Sequence, residues 1–353
     1  MSSINYSRIK TYMDCPYKYD LVYNRRIMKT RTPRPMSLGS AIHKGMEWAF
    51  RGQDPDEGVD IWEKEYISRL QGQEDLVITE DDETFNLSEL LVQESEDIGK
   101  QAKAIVRRTL RYFSPEDWEV VEIDGVPAIE LNIDYMVDNV TYHGHIDLVA
   151  KEKATGMIWL IDYKSRQQFT DIDQEYSNLQ MVMYQRMLMA LGVEVVGSMV
   201  LQISSKPNTI PKVNKDGTIS RARIFTTWDD YSLFVKENGQ DPEDYLDMMD
   251  KLDMKMVEPL FYFRSPRLVE SIFDDTVRTL TRKMQEDTHY QRNLNFFNCM
   301  GCQYRDICET ELDGDPIDHY LTAGLFYIAD TPEDRPEDRI DNREEDIDGN
   351  VQS

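Results

Sequence analysis

Long apolar runs are missing from this 353-residue chain. None approaches the roughly 18 residues of a membrane span, and the opening MSSINYSRIK has no apolar signal-peptide core. The expected location is therefore the cytoplasm, with no membrane partner. Cysteine is limited to four residues, and in a cytoplasmic chain so small a set points to metal binding rather than disulfides. Basic residues are outnumbered, 40 against 66 acids, for a formal charge of -26. That balance alone argues against a nucleic-acid partner, because binding phosphate needs local positive potential. No Gly-x4-Gly-Lys-Ser/Thr stretch is present, so the chain carries no nucleotide-driven motor of that type.

What is there is unevenly distributed. Charged residues make up 30% and apolar ones 40%, as in an ordinary globular protein with material for one large core or two modest ones. The acids concentrate in residues 74–97, 239–253 and 331–353. The last of these holds nine acids against three arginines and almost nothing apolar, the composition of a disordered tail. Basic residues gather elsewhere: Lys18, Arg25, Arg26, Lys29, Arg31 and Arg34 near the start, then Lys206, Lys212, Lys215, Arg221 and Arg223. Local patches, not the global sign, decide what the surface can bind.

The pattern of apolar residues predicts two short helices over 4–29, with Ser7 as N-cap and Pro16 in a first turn, so that Cys15 lies at their joint. A basic loop over 30–36 follows, then helices over 38–51, 57–71 and 88–113. His43 and Glu47 are i,i+4 partners in the first of these. The period then changes. Residues 118–123, 128–137, 141–150 and 157–164 read as consecutive strands, an amphipathic helix runs from Asn178 to Ala190, and 195–203 returns as a buried strand in the βαβ manner. A protruding basic hairpin is expected over 204–228, turning at Lys215-Asp216-Gly217, its lysines suited to a phosphate backbone. An acidic helical segment (241–253) and a long helix (265–288) lead to the last cysteines.

Chemistry concentrates mid-chain. Gly144-His145-Ile146-Asp147 and Leu160-Ile161-Asp162-Tyr163-Lys164 each end an apolar run in a carboxylate, and the second adds a lysine two residues later. Residues i and i+2 of a strand share a face, so Asp162 and Lys164 project together, away from Ile161 and Tyr163. With the Asp147 strand alongside, two hard oxygen ligands and an ammonium share a pocket suited to Mg²⁺ or Mn²⁺. Glu130, on the preceding strand, is a weaker candidate for the same pocket. Cys299, Cys302 and Cys308 form a C-x2-C-x5-C knot, with Cys15 lying 284 positions upstream. Four thiolates suit tetrahedral Zn²⁺ or a [4Fe-4S] cluster, and spacing does not choose between them.

In this order the motifs resemble the RecB-like branch of the PD-(D/E)xK nuclease superfamily. They run from Ser7-Arg8-Ile9 and Cys15-Pro16-Tyr17-Lys18-Tyr19, through Gly39-Ser40-Ala41-Ile42-His43, Gly144-His145-Ile146-Asp147 and Asp162-Tyr163-Lys164, to the Gln180-x3-Tyr184 helix and the cysteine knot. The chain looks most like the iron-sulfur members, the CRISPR-associated RecB-like exonucleases and AddB-type nuclease domains. The resemblance implies an α/β fold with a restriction-endonuclease-like core, a central mixed sheet flanked by helices, and N- and C-terminal helical segments joined by a four-cysteine metal cluster. It divides the chain into an N-terminal helical segment (1–37), a nuclease core (38–310) and an acidic extension (311–353), disordered from 331.

The resemblance also implies roles. Asp147 and Asp162 ligate a catalytic divalent metal with His43, and Lys164 orients or activates the attacking water. Gln180 and Tyr184 hold DNA or the site's geometry. Outside the resemblance, the local positive charge leads us to expect DNA contacts from Arg25, Arg26, Lys212 and Lys215. Cys15, Cys299, Cys302 and Cys308 carry [4Fe-4S], favoured over structural Zn²⁺ because the set staples distant parts of the chain. Asp162 departs from the glutamate of many relatives. The expected activity is an exonuclease on single-stranded DNA or ends, serving replication, recombination or repair as a phage-encoded enzyme would, with a helicase or recombination protein as partner. The alternatives are a structure-selective endonuclease and a non-catalytic DNA-end-binding partner of a helicase.

Overall fold

The computed structural model describes residues 3–30, 33–71, 77–80, 83–171, 178–252 and 255–329. Arg31, the acidic stretch from 331 onward and part of the 74–97 segment lie outside them.

Helix α1 (Tyr6–Asp14) is capped by Asn5, whose side-chain oxygen accepts the Arg8 N–H. The cap therefore falls two residues before the expected Ser7, where an amide oxygen reaches the same orphan donors. Cys15, in extended backbone, ends α1, and Pro16 opens α2 (Pro16–Tyr19), where its missing N–H costs nothing. A π-helical turn (Asp20–Asn24) leads into β1 (Ile27–Lys29). Helix α3 (Arg34–Phe50) starts four residues ahead of expectation. Its first turn tolerates Pro35, so part of the stretch read as a loop is helical. Helices α4 (Pro55–Gln71) and α5 (Leu87–Tyr112), with the hairpin β2 (Val77–Glu80) and β3 (Glu83–Asn86) between them, complete a helical layer.

Strand β4 (Trp118–Val120) and the small hairpin β5 (Glu122–Ile123) and β6 (Val126–Pro127) lead to β7 (Ile129–Val137), β8 (Val140–Glu152) and β9 (Ile158–Arg166). Helix α6 (Leu179–Ala190) then crosses over to β10 (Gly197–Ser204), which pairs with β9 in parallel. With β11 (Val257–Phe263) at one end, the sheet runs β11-β10-β9-β8-β4, with β7 also paired to β8, and every pair but β9/β10 is antiparallel. One face packs on α3–α5 through Ile161, Tyr163, Met199 and Leu201. The other packs on α1, α6 and the C-terminal helices through Ile146, Leu160 and Val200. Strand β11 (Val257–Phe263) was not expected. Pro259 and Glu258 break its apolar pattern, and both are compatible with an edge strand, where one side needs no partner.

The basic segment 204–228 turns where expected, at Lys215-Asp216-Gly217, and its arms face each other through antiparallel backbone bonds, Asn214 N–H to the Thr218 carbonyl at 2.7 Å and Ser220 N–H to the Lys212 carbonyl at 2.8 Å, without forming regular strands. Val213 and Ile219 make one isolated antiparallel bridge. Ile219 turns inward to a small separate core with Tyr231, Val235, Tyr245, Met248 and Leu252, and α7 (Trp228–Glu237) supplies the surface it packs on. The long helix expected over 265–288 is α8 (Pro266–Ile272), a π-helical turn (Phe273–Arg278) and α9 (Thr279–Glu286).

Residues beyond 290 fold back on the N-terminus. Helices α10 (Phe296–Met300), α11 (Arg305–Leu312) and α12 (Asp318–Thr322) lead to β12 (Phe326–Ile328), which pairs antiparallel with β1, Ile27 opposite Ile328. Tyr304 donates its hydroxyl hydrogen to the Ile27 carbonyl at 2.9 Å. Residues 311–329 thus belong structurally with the N-terminal segment. Three-residue strands carry no alternation from which that pairing could be read.

Candidate metal centre and nuclease site

Strands β8 and β9 pair from Lys151↔Ile158 to Leu148↔Ile161, and there the ladder stops. The next donor on β9, the Tyr163 N–H, is taken by the Asp147 side chain, its Oδ2 at 2.6 Å. A carboxylate therefore stands where a backbone carbonyl would have been, and the strands part around it. β9 continues alongside β10, with Lys164 opposite Gln202, so the far end of β9 is held while its β8 side opens into a pocket.

The two-residue period acts as expected. Ile161 and Tyr163 are buried against the α3–α5 layer, and Asp162 and Lys164 share the other face. Lys164 Nζ lies 2.8 Å from Asp162 Oδ2 and donates to Asp162 Oδ1 at 3.0 Å and to Gln180 Oε1 at 3.2 Å. Gln180 Nε2 in turn donates to the Tyr184 hydroxyl at 3.3 Å. Gln180 and Tyr184 are thus the structural support of the lysine. Burial pushes the Asp162 carboxyl above the ordinary aspartate range, with Asp147 adding to the rise and Lys164 opposing it. Burial works against the Lys164 ammonium, but Asp162 and Asp147 outweigh it and hold the group charged beyond the usual lysine range.

His43 reaches the pocket from α3. Its Nε2 is 2.9 Å from the Tyr163 carbonyl; a carbonyl only accepts, so Nε2 carries a proton, and in the neutral ring Nδ1 presents a lone pair. Nδ1 faces Asp147 Oδ1 at 3.6 Å and Glu130 Oε1 at 3.9 Å. One ligand atom from each of His43, Glu130 and Asp147 lies within 4.8 Å of the others. Glu130 Oε1 is buried with no hydrogen-bond partner. A lone pair facing two carboxylates, one with a buried unsatisfied oxygen, is an arrangement that a cation relieves. Oxygen ligands with one imidazole suit Mg²⁺ or Mn²⁺.

Glu130, the weakest candidate from sequence, thus stands in the tightest ligand group among the described residues. Its backbone explains why this was hidden. It adopts φ +47°, a left-handed conformation that re-aims the side chain out of the alternation of β7. No residue-type pattern announces such a turn. Gly144, by contrast, has a legible reason: a Cβ there would lie 2.8 Å from Met187 Sδ and 3.0 Å from the Tyr184 ring, so its absence lets α6 close on the sheet.

The remaining candidates fall elsewhere. Arg25 makes a forked pair with Glu311, at 2.7 and 3.1 Å, clasping the two chain ends. Arg26 is left-handed at φ +57°, and its carbonyl accepts the Ala329 N–H. Lys212 and Lys215 are exposed on the segment that leaves β10. Because β9 and β10 are parallel, that segment springs from the sheet edge where Lys164 lies; the Ser205 N–H bonds the Arg166 carbonyl at 2.8 Å. The four cysteines line one pocket, together with Arg292 and Asn293. The Asn293 N–H points to Cys15 Sγ at 3.4 Å, and burial raises the Cys308 thiol above its usual range while Arg292 opposes the rise. Among the described residues, no helix is long and apolar enough to cross a membrane.

No curated protein matches the chain. The family model of the PD-(D/E)XK nuclease superfamily matches residues 3–309, spanning α1, the splayed strands and the cysteine knot. An α/β body with a mixed sheet between helical layers, acids and a lysine at the end of two parting strands, and a match over most of its length place this chain in the PD-(D/E)XK nuclease superfamily.

Proposed function

We propose that this protein is a divalent-metal-dependent exonuclease that hydrolyses single-stranded DNA from an end. The observation that carries the reading is the convergence of His43, Glu130 and Asp147 within 4.8 Å beside the Asp162–Lys164 pair. In this reading His43, Glu130, Asp147 and Asp162 hold Mg²⁺ or Mn²⁺. The bound ion supplies charge stabilisation to the phosphate and lowers the barrier to water attack. Lys164, kept as an ammonium by its acidic neighbours, orients the water and steadies negative charge at the phosphate rather than abstracting a proton. Gln180 fixes the ammonium through its 3.2 Å contact, and Tyr184 fixes Gln180.

DNA contacts are assigned to Lys212, Lys215 and Arg26, with Arg25 in the clasp that closes the N-terminal segment onto residues 305–329. A closed N-terminal clasp favours a threaded single strand, supplied by a separate unwinding or recombination enzyme. Cys15, Cys299, Cys302 and Cys308 fit a [4Fe-4S] cluster: four thiols surround one pocket, with a backbone N–H aimed at the Cys15 sulfur and Arg292 beside Cys308. Its contribution would be structural, tying segments nearly 300 residues apart.

The test is cleavage of end-labelled linear single-stranded DNA against a circular single strand, with Mg²⁺ or Mn²⁺. An exonuclease degrades the first and spares the second. Equal cutting of the circle assigns an endonuclease, and wild-type cleavage no faster than that of Lys164→Ala assigns a binding protein. Anaerobically purified protein should carry iron and sulfide; zinc without either overturns the cluster.

A further inference from the structure

We propose that His145 is a positioning residue of the metal centre. It holds one carboxylate oxygen of Glu130 so that the other alone faces the ion, and thereby favours Mg²⁺ or Mn²⁺ over Ca²⁺. The proposal rests on the metal-centre reading above and assigns a function to a side chain that lies outside the ligand group.

Three observations carry it. First, the two oxygens of Glu130 have different surroundings: Oε2 is hydrogen-bonded to His145 Nε2, while Oε1 is buried, without a hydrogen-bond partner, and faces His43 Nδ1 at 3.9 Å. Second, the imidazole is itself held. Asn132 lies directly opposite His145 across β7 and β8, and its Oδ1 is 2.9 Å from His145 Nδ1. Both partners are oxygens, so both bonds form together when each ring nitrogen carries a proton, and the ring then cannot turn without losing one. Third, Glu130 is left-handed at φ +47° between ladder partners on either side, Ile129↔Leu148 and Leu131↔Ile146. A glutamate held in that backbone needs surroundings that over-determine it, and the His145 bond supplies such a tether at the side-chain end.

The consequence for ion choice follows from denticity. A carboxylate with one oxygen held by an imidazole offers the ion a single oxygen. Mg²⁺ accepts single-oxygen ligands in a tight octahedron, whereas Ca²⁺ prefers more ligands and readily takes both oxygens of a carboxylate. Partners outside the ligand group act on metal sites in this way, by fixing ligand orientation.

The test is titration of Mn²⁺, Mg²⁺ and Ca²⁺ into DNA-free protein by calorimetry, with melting in EDTA as a check of fold. His145→Ala should weaken Mn²⁺ binding about 10-fold or more and narrow the preference for Mn²⁺ over Ca²⁺. His145→Gln, whose amide can still donate to Glu130, should recover most of the loss. Asn132→Ala should give a smaller loss of the same kind and serves in its place if His145→Ala fails to fold. In the Glu130→Gln background, His145→Ala should add little, because it acts through Glu130. Unchanged Mn²⁺ binding in His145→Ala, or a full additional loss in that background, overturns the proposal while leaving the metal centre intact. Wild-type protein that binds no better than Asp147→Asn overturns the metal-centre reading, and this proposal with it.

Discussion

The Asp147 carboxylate accepts the backbone N–H of Tyr163 at 2.6 Å, at the point where β8 and β9 cease to pair. One side chain thus both ends a ladder and stands in the candidate metal group with His43 and Glu130. The same bond keeps Tyr163 in register while its carbonyl receives His43 at 2.9 Å, so a strand end, a helix and a ligand are set by two contacts.

Lys164 is held by Asp162 and Gln180 on the face where the substrate phosphate is proposed to sit. Lys164→Ala should lower the cleavage rate about 10²–10³-fold, the range for losing one charge-stabilising group, with affinity for single-stranded DNA little changed. Single-turnover cleavage alongside binding in EDTA measures both.

The pH dependence of the metal-free protein should carry the signature of Asp162. Its folded pKa is raised by burial, so the folded state binds this proton more tightly than the unfolded chain, whose aspartate titrates near about 3.9. The group's stabilising effect is full below that value and is lost as pH rises through the folded pKa. Asp162→Asn cannot ionise, so its melting temperature in EDTA should gain on wild type between pH 4 and 7. A constant difference across that window rules the buried-carboxylate account out.

Gly144 sits where α6 crosses the sheet. Gly144→Ala places a methyl about where Met187 and Tyr184 now touch the backbone. Overpacking of this kind costs about 1–3 kcal/mol, readable in chemical denaturation. Because Tyr184 supports Gln180 and Gln180 supports Lys164, cleavage should fall even where the variant is fully folded.

The Arg25–Glu311 fork joins residues 286 positions apart, and Tyr17 also donates to Glu311. A double-mutant cycle of Arg25→Ala and Glu311→Ala should give a coupling of about 1 kcal/mol, toward the upper end for a partly exposed pair. Limited proteolysis should cut single variants sooner between residues 312 and 329. Additive effects would show that the fork adds nothing to the β1–β12 pairing and packing that also join these segments.

Much of this architecture was legible in residue types. The two-residue period put Asp162 and Lys164 on one face because strand geometry leaves no other choice. The helical stripe gave α6, with Gln180 and Tyr184 one turn apart, because i and i+4 lie above one another. The C-x2-C-x5-C spacing was local.

Tertiary structure decided the rest, and in each case the cause acts over distance or through a backbone angle. Glu130 joins the ligand group through a positive φ that its residue type disfavours. Arg25, read as a DNA contact, forms a fork with Glu311 from the other end of the chain. In residues 204–228 the turn falls where residue types put it, but that Ile219 is the side chain buried follows from α7, on which it packs. β1 and β12 meet only because the segments around them are already packed. The sequence by itself determined which side chains share a face within each element; the folded chain decided which faces meet, because contacts between distant segments depend on packing that no local pattern encodes.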